Sequence, residues 1–203
     1  MSPNESDAQA RDDRSTGDLS RTTVVDTAVE LLDDTGLDGL SMTGIANEMG
    51  VTQPALYRHV DGVDGLWREL GLRGREELAE AIGDAVMGRS GADAVRAAAL
   101  AWRAFANDQP LLYLATDRVP CAGDDELEAA VARVVQILGR ALRSFSLDDL
   151  TADQAARSLR SALHGFVHLE IVDGHPEAGD LDASFDAMVE MLCSGFTRLA
   201  TVS

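Results

Sequence analysis

Thr52-Gln53-Pro54-Ala55-Leu56-Tyr57-Arg58-His59 is a run whose side chains can read nucleic acid. A glutamine can bond adenine through two atoms, and an arginine can do the same to guanine. The Thr52 and Tyr57 hydroxyls can reach phosphate oxygens. Pro54 and Ala55 can touch a thymine methyl, and His59 adds a third polar candidate. No Asp or Glu falls between Met49 and Val60, in a chain with 35 acidic and 17 basic residues and a formal net charge of −18. Every basic residue is Arg. So negative a chain is a poor general nucleic-acid binder. DNA recognition therefore requires a small face free of acids on an acidic body.

Other constellations carry less. His164 and His168 are four apart, hence on one helical face, where two imidazoles can share a metal with help from Glu170 or His175. The zinc-hydrolase pattern needs a Glu directly after the first His, and Gly165 stands there; no metal and no cofactor is expected. Cys121 and Cys193 lie far apart in no metal spacing and read as free thiols. There is no Gly-x-Ser-x-Gly, phosphate loop or dinucleotide fingerprint, so an enzyme is not expected. Trp102, Phe105, Tyr113 and Phe166, with Leu111, Leu112 and Met188, are the best candidates to line an apolar cavity. Arg103, Asn107, Gln109 and His164 are its candidate polar anchors. The same aromatics in a helical stripe also suit an ordinary core.

These residues need helices to position them, and the helical period dominates from Leu19 onward. Val24, Ala28, Leu31 and Leu32 mark one face of a first helix that Gly36 is placed to stop. Ser41 can cap a second helix faced by Met42, Ile45, Ala46 and Met49. Gly50-Val51 makes a turn. Thr52 can cap a third helix, with Pro54 in its first turn, where a missing N–H is harmless. Leu56 and Val60 should face inward. Two short helices about such a turn have the spacing of a helix-turn-helix, whose second helix enters the major groove. A long helix is expected from Val63 to Met87. Further helices should span about Ala92–Asn107, Leu111–Thr116, Asp125–Ser144, Thr151–Asp173 (with a capping box at Thr151) and Leu181–Leu199. The fold class is all-α, with about nine helices.

On these residues the chain resembles the TetR family of one-component transcriptional regulators. Ala28, Gly36, Ile45-Ala46, Gly50-Val51, Leu56-Tyr57, His59 and Leu66 fall in that family's pattern, and Gln53 to Val60 is similar to its recognition helix. Ala162 to Glu170 resembles a C-terminal subgroup named for a Trp and a His-Gly pair; the pair is His164-Gly165, but no Trp is found in its usual upstream place. The resemblance implies a homodimer that binds a palindromic double-stranded DNA operator, pairs through its last two helices and is released by a small-molecule effector. It also implies phosphate contacts from Arg21 and Thr43. One departure stands out. The family usually has Lys near the start of the fourth helix; here Val63 is flanked by Asp61 and Asp64, which implies weaker operator binding.

The organisation expected is a disordered tail over 1–18, a helix-turn-helix domain over 19–66, and a helical ligand-binding and dimerisation domain over 67–203. Leu159, Leu163, Phe166, Val167, Phe185, Met188, Val189, Leu192 and Phe196 can supply apolar surface to a partner copy or to the chain's own core. The polar N-terminus lacks the apolar run of a secretory signal, and no segment approaches the ~20 apolar residues of a membrane span, so a cytoplasmic repressor is expected. An alternative is a helical ligand-binding or protein-interacting regulator with a weakened DNA-binding head.

Overall fold

Ser20 begins the first helix by a reciprocal cap. Its hydroxyl accepts the Thr23 N–H at 3.1 Å, and the Thr23 hydroxyl accepts the Ser20 N–H at 2.9 Å, so two orphan donors of the first turn are satisfied. In this computed structural model the described residues are 19–175 and 179–200, and the tail expected over 1–18 lies outside them. Among the described residues the chain is all-helical: α1 (Arg21–Gly39), α2 (Met42–Glu48), α3 (Gln53–Leu56), α4 (Gly62–Val86), α5 (Gly91–Asp108), α6 (Pro110–Arg118), α7 (Asp125–Leu142), α8 (Asp149–Ile171) and α9 (Leu181–Leu199). The first of these breaks at Gly36 (φ 69°, ψ 175°), where the sequence places a stop.

Most boundaries match the sequence reading to within two residues. The exceptions are α1, which is continued to Gly39 past the break at Gly36, and α3, whose regular part ends at Leu56. At α8, which begins at Asp149, it is the capping residue that differs from the Thr151 pattern. Its cap is Asp148, whose carboxylate accepts the Thr151 N–H at 3.1 Å and the Thr151 hydroxyl at 2.6 Å. A carboxylate at the cap also meets the positive end of the helix dipole, so Asp148 takes precedence over the threonine.

The central element is α4, whose 25 residues make a rod roughly 37 Å long. Leu66, Leu70, Leu78, Ala79 and Ile82 on it are buried, and it packs on α5, α6 and α7. Its approach to α6 is close. A Cβ at Gly74 would stand 2.8 Å from Thr116 Cγ2 and 3.0 Å from the Leu112 carbonyl oxygen, so a larger residue there would push the helices apart. Next to it Arg75 is buried, and its guanidinium donates to the carbonyls of Gly71, Thr116 and Val119. Two of those carbonyls lie at the end of α6, where helical partners run out. Arg75 therefore fixes that end against α4. Burial without a carboxylate partner pushes its pKa down.

Leu159, Leu163, Val167, Phe185, Val189 and Phe196 on α8 and α9 are buried inside the single chain, and Phe166, Met188 and Leu192 are partly buried against the same core. The outward surface of these helices carries Leu169, Val172, Met191 and Leu199 instead. Ser158, Ser161, Ala187 and Ser194 are exposed beside them.

Candidate nucleic-acid interface and interior cavity

The reading head is built from α1 to α3. Ser41 caps α2, its hydroxyl accepting the Gly44 N–H at 3.1 Å. Gly50 turns the chain with φ 66°, a left-handed conformation that glycine adopts without steric penalty. Thr52 occupies the cap position of α3, with no side-chain cap hydrogen bond, and Pro54 lies in the first turn. The helical bonding continues past Leu56 in a tightened turn, His59 N–H donating to the Leu56 carbonyl at 2.9 Å.

This geometry sorts the run between core and solvent. Ala55, Leu56 and Val60 are buried, while Thr52, Pro54, Tyr57 and Arg58 are exposed and Gln53 and His59 half-buried. Ala55 is turned under the surface, so its methyl is not offered outward as the sequence reading had it. Tyr57 is 55% exposed, which for an aromatic on a small domain is surface available to a partner. Thr43 on α2 is exposed and accepts a hydrogen bond from Gln53 Nε2 at 2.6 Å. Arg21 is exposed at the start of α1, 3.6 Å from Glu69. Val63, Asp61 and Asp64 are all exposed beside the head.

The head joins the body through Arg118 at the end of α6. Its guanidinium donates to Asp38 at 2.8 Å and stacks 4.5 Å from the centre of the Trp67 ring. Stacking on a buried aromatic adds a cation–π term to an otherwise exposed ion pair, which alone contributes little. Within the body, Arg68 on α4 donates to Asp124 and Glu126 at the start of α7 and ties those two helices together.

Inside the body is a cavity of about 80 Å³ lined by Arg75, Leu78, Trp102, Tyr113, Thr116, Asp117, Val131, Val134, Arg160 and His164. Of the residues expected to line such a space, Trp102, Tyr113 and His164 come together there. They form a chain of hydrogen bonds: Trp102 Nε1–H donates to the Tyr113 hydroxyl at 2.9 Å, and that hydroxyl shares a 2.8 Å hydrogen bond with His164 Nδ1. Burial drives the Tyr113 phenol pKa upward and the His164 pKa downward, because each charged form would lose its water. Thus Trp102 is linked to the histidine of the His-Gly pair through one tyrosine.

Phe105 and Phe166 lie outside that lining. Phe105 is buried edge-on to Tyr113, and Phe166 packs edge-on to Phe185, with ring centres 6.5 and 5.2 Å apart respectively. Arg103 is paired with Glu170 at 2.6 Å and Asp182 at 2.8 Å, and Gln109 donates to Glu77 at 3.0 Å. Asn107 is exposed. The polar groups of the cavity are instead Arg75, Thr116, Asp117 and Arg160, which the sequence reading missed. They lie on α4, α6 and α8, and nothing in their spacing announces that these helices converge.

A three-helix head with an outward-facing second motif helix, carried on a helical body with an interior cavity, defines a helix-turn-helix regulator. Residues 24–70 match the family described as bacterial regulatory proteins, tetR family, and residues 95–192 match the tetracyclin repressor-like C-terminal domain. An uncharacterized HTH-type transcriptional regulator of Mycobacterium tuberculosis is 37% identical over 90% of this chain and 84% of its own length. Another, from Bacillus subtilis, is 30% identical over 87% of this chain and 92% of its own. The tetracycline repressor class D of Escherichia coli is 30% identical over 47% of this chain and 38% of its own length. Among solved structures, a TetR from Acinetobacter baumannii in complex with minocycline aligns with a TM-score of 0.68 at 22% identity, covering 90% of this chain and 98% of that one. The chain belongs to the TetR family of transcriptional regulators. No helix among the described residues is long and apolar enough to cross a membrane.

Proposed function

We propose that the chain is a TetR-type repressor that binds a palindromic operator as a homodimer and leaves it when a small molecule enters the body. The observation that carries the DNA reading is the outward surface of α3 and its following turn. Thr52, Pro54, Tyr57 and Arg58 face solvent there while Leu56 and Val60 hold the helix down. In this reading Arg58 and Gln53 address base edges, His59 and Pro54 lie beside them, and Arg21, Thr43, Thr52 and Tyr57 meet the phosphate backbone. Ala55 is left out because it is buried. The chemistry is regulatory rather than catalytic, and the compartment proposed is the cytoplasm, where the DNA is.

The outward surface of α8 and α9 supports a two-fold interface. Leu169, Val172 and Met191 are exposed there beside small residues that let helices approach closely. An isologous pairing of such a surface sets two heads on one DNA face, with recognition helices about 34–36 Å apart.

Release follows from the size of the cavity. Drug-sized ligands need roughly 300 Å³ or more, and the space here is about 80 Å³. A larger effector must part the lining helices, including α4 and α6. The first begins at the head, and the second is tied to it by Arg118 and Asp38. The ligand shifts the heads only by its differential affinity for the two arrangements. The relative solved with minocycline shows that a neighbour in fold space holds a small molecule; the effector of this chain is a separate matter of its own lining residues.

The acids Asp61 and Asp64 favour a second reading, in which the head binds DNA weakly and the body serves another partner. One experiment separates the two: selecting duplexes from a random DNA pool with the full chain, then titrating the enriched duplex in a gel shift at several salt concentrations. Enrichment of an inverted repeat with steep salt dependence supports the repressor. No enrichment at low salt removes it.

A further inference from the structure

We propose that Asp117, His164 and His168 form a site for a tetrahedral divalent transition-metal ion, Zn²⁺ being the ion whose ligand chemistry fits best. The proposal stands on side-chain placement alone and holds whether or not the head binds DNA. His164 and His168 share one face of α8, and the end of α6 brings Asp117 onto that face. One ligand atom from each of the three lies within 4.8 Å of the others. The sequence offers the histidine pair with Glu170 or His175 as helpers; Glu170 is instead paired with Arg103, and the carboxylate comes from a different helix.

The spacing fits a metal better than it fits hydrogen bonding. His164 Nε2 is 3.5 Å and His168 Nδ1 is 3.3 Å from Asp117 Oδ2. Ligands held about 2.0–2.2 Å from a tetrahedral zinc stand roughly 3.3–3.6 Å from one another, so both separations are edges of such a tetrahedron. An octahedral ion at similar bond lengths would require shorter edges, about 3 Å. His168 Nδ1 is also buried and has no hydrogen-bond partner. A buried polar nitrogen without a partner carries a desolvation penalty, and a metal bond would relieve it.

The surroundings complete the case. His164 uses Nδ1 in its 2.8 Å hydrogen bond with Tyr113, which leaves Nε2 toward Asp117. A ligating histidine generally has its second nitrogen held in this way, and that contact fixes ring orientation and tautomer. With Nε2 on the metal the proton sits on Nδ1 and is donated to Tyr113, whose oxygen also accepts from Trp102. Imidazole with carboxylate suits zinc among the common ions. The three side chains are each about two-fifths exposed, at 40%, 39% and 38%, so an ion can enter from solvent. Three protein ligands leave a fourth position, the arrangement of open zinc sites. One carboxylate against a divalent ion leaves a net positive charge, and Arg160, which lines the adjoining cavity, adds to it. The fourth donor should therefore be an anion, such as a carboxylate or chloride.

The test uses the full, untagged chain, stripped with a chelator and titrated with Co²⁺ as a visible probe and with Zn²⁺ in competition. One equivalent of Co²⁺ should give the intense visible bands of a tetrahedral ion, bleached by Zn²⁺. His168→Gln and Asp117→Asn should abolish the bands and weaken Zn²⁺ binding by 10-fold or more, while His175→Gln and His59→Gln leave both unchanged. His168→Gln removes no hydrogen bond and only a half-exposed 3.3 Å contact with Asp117, so the variant should stay folded without metal, as its melting curve will show, and it decides the matter if Asp117→Asn fails to fold. Absence of the bands, or Zn²⁺ binding equally strong in His168→Gln, means that any uptake is scattered over the acidic surface, and the site is refuted.

Discussion

Gln53 donates to Thr43 at 2.6 Å, which ties the recognition helix to the helix that supports it. Both side chains are proposed to meet DNA, so each is held in place by the other before DNA arrives. Gln53→Ala should reduce operator affinity by about 1–3 kcal/mol and relax selectivity at one base pair. Thr43→Ala should weaken binding to all sequences alike. Because the two touch, the double variant should lose less than the sum of the single losses. Strictly additive losses in gel-shift titrations would mean that the contact has no role in DNA binding.

Arg58 is exposed, and its removal leaves the core intact. Arg58→Ala should keep the parent's thermal melting curve and lose about 1–3 kcal/mol of operator affinity. If affinity is unchanged, Arg58 reads no base.

Val63 is 41% exposed beside Asp61 and Asp64. Val63→Lys should add one phosphate contact, steepening the log–log salt dependence of DNA binding by about 0.9. A slope equal to the parent's would show that this helix start stands away from the backbone of DNA.

Tyr113 is fully buried and its hydroxyl accepts the Trp102 N–H. Tyr113→Phe keeps the ring and orphans that donor, so it should destabilise the protein by roughly 1–3 kcal/mol. Urea unfolding checks this. A loss under about 0.5 kcal/mol would indicate that water replaces the hydroxyl in the adjoining cavity.

Asp124 caps α7 and faces Arg68, whose guanidinium, with the Leu127 and Glu126 N–H groups, holds its carboxyl pKa below the ordinary aspartate value. The unfolded chain then binds the proton more readily than the folded one, so stability from this group is present above the unfolded pKa and fades as pH falls through the folded one. Asp124→Asn should flatten the loss of stability on acidification below about pH 4, as followed by urea midpoints. An unchanged acid slope would assign that loss to other carboxylates.

Much of the fold was legible because helices are local. The period of Val24, Ala28 and Leu32, the serine before Met42 and the proline after Gln53 each act within a few residues, so helix limits and the inward set Leu56 and Val60 could be read from the chain. Arg58 was equally legible as an outward residue, since its place on a short helix follows from its neighbours. The Asp148 cap was missed because two capping patterns overlap in one stretch and only their competition decides. Arg103 and Gln109 looked like anchors because nothing local says that Glu170 and Glu77 hold them.

The linear order of residues by itself determined an all-helical chain with a run free of Asp and Glu from Met49 to Val60, because hydrophobic period, caps and charge act over one or two turns. Only the tertiary structure decided what faces the interior cavity and what gathers around His164. Arg75, Asp117 and Arg160 lie on three different helices, and their meeting depends on how closely α4 and α6 pack at Gly74 and where Arg75 pins the end of α6. Those are long-range contacts, set by the shape of the whole core, and no spacing along the chain encodes them.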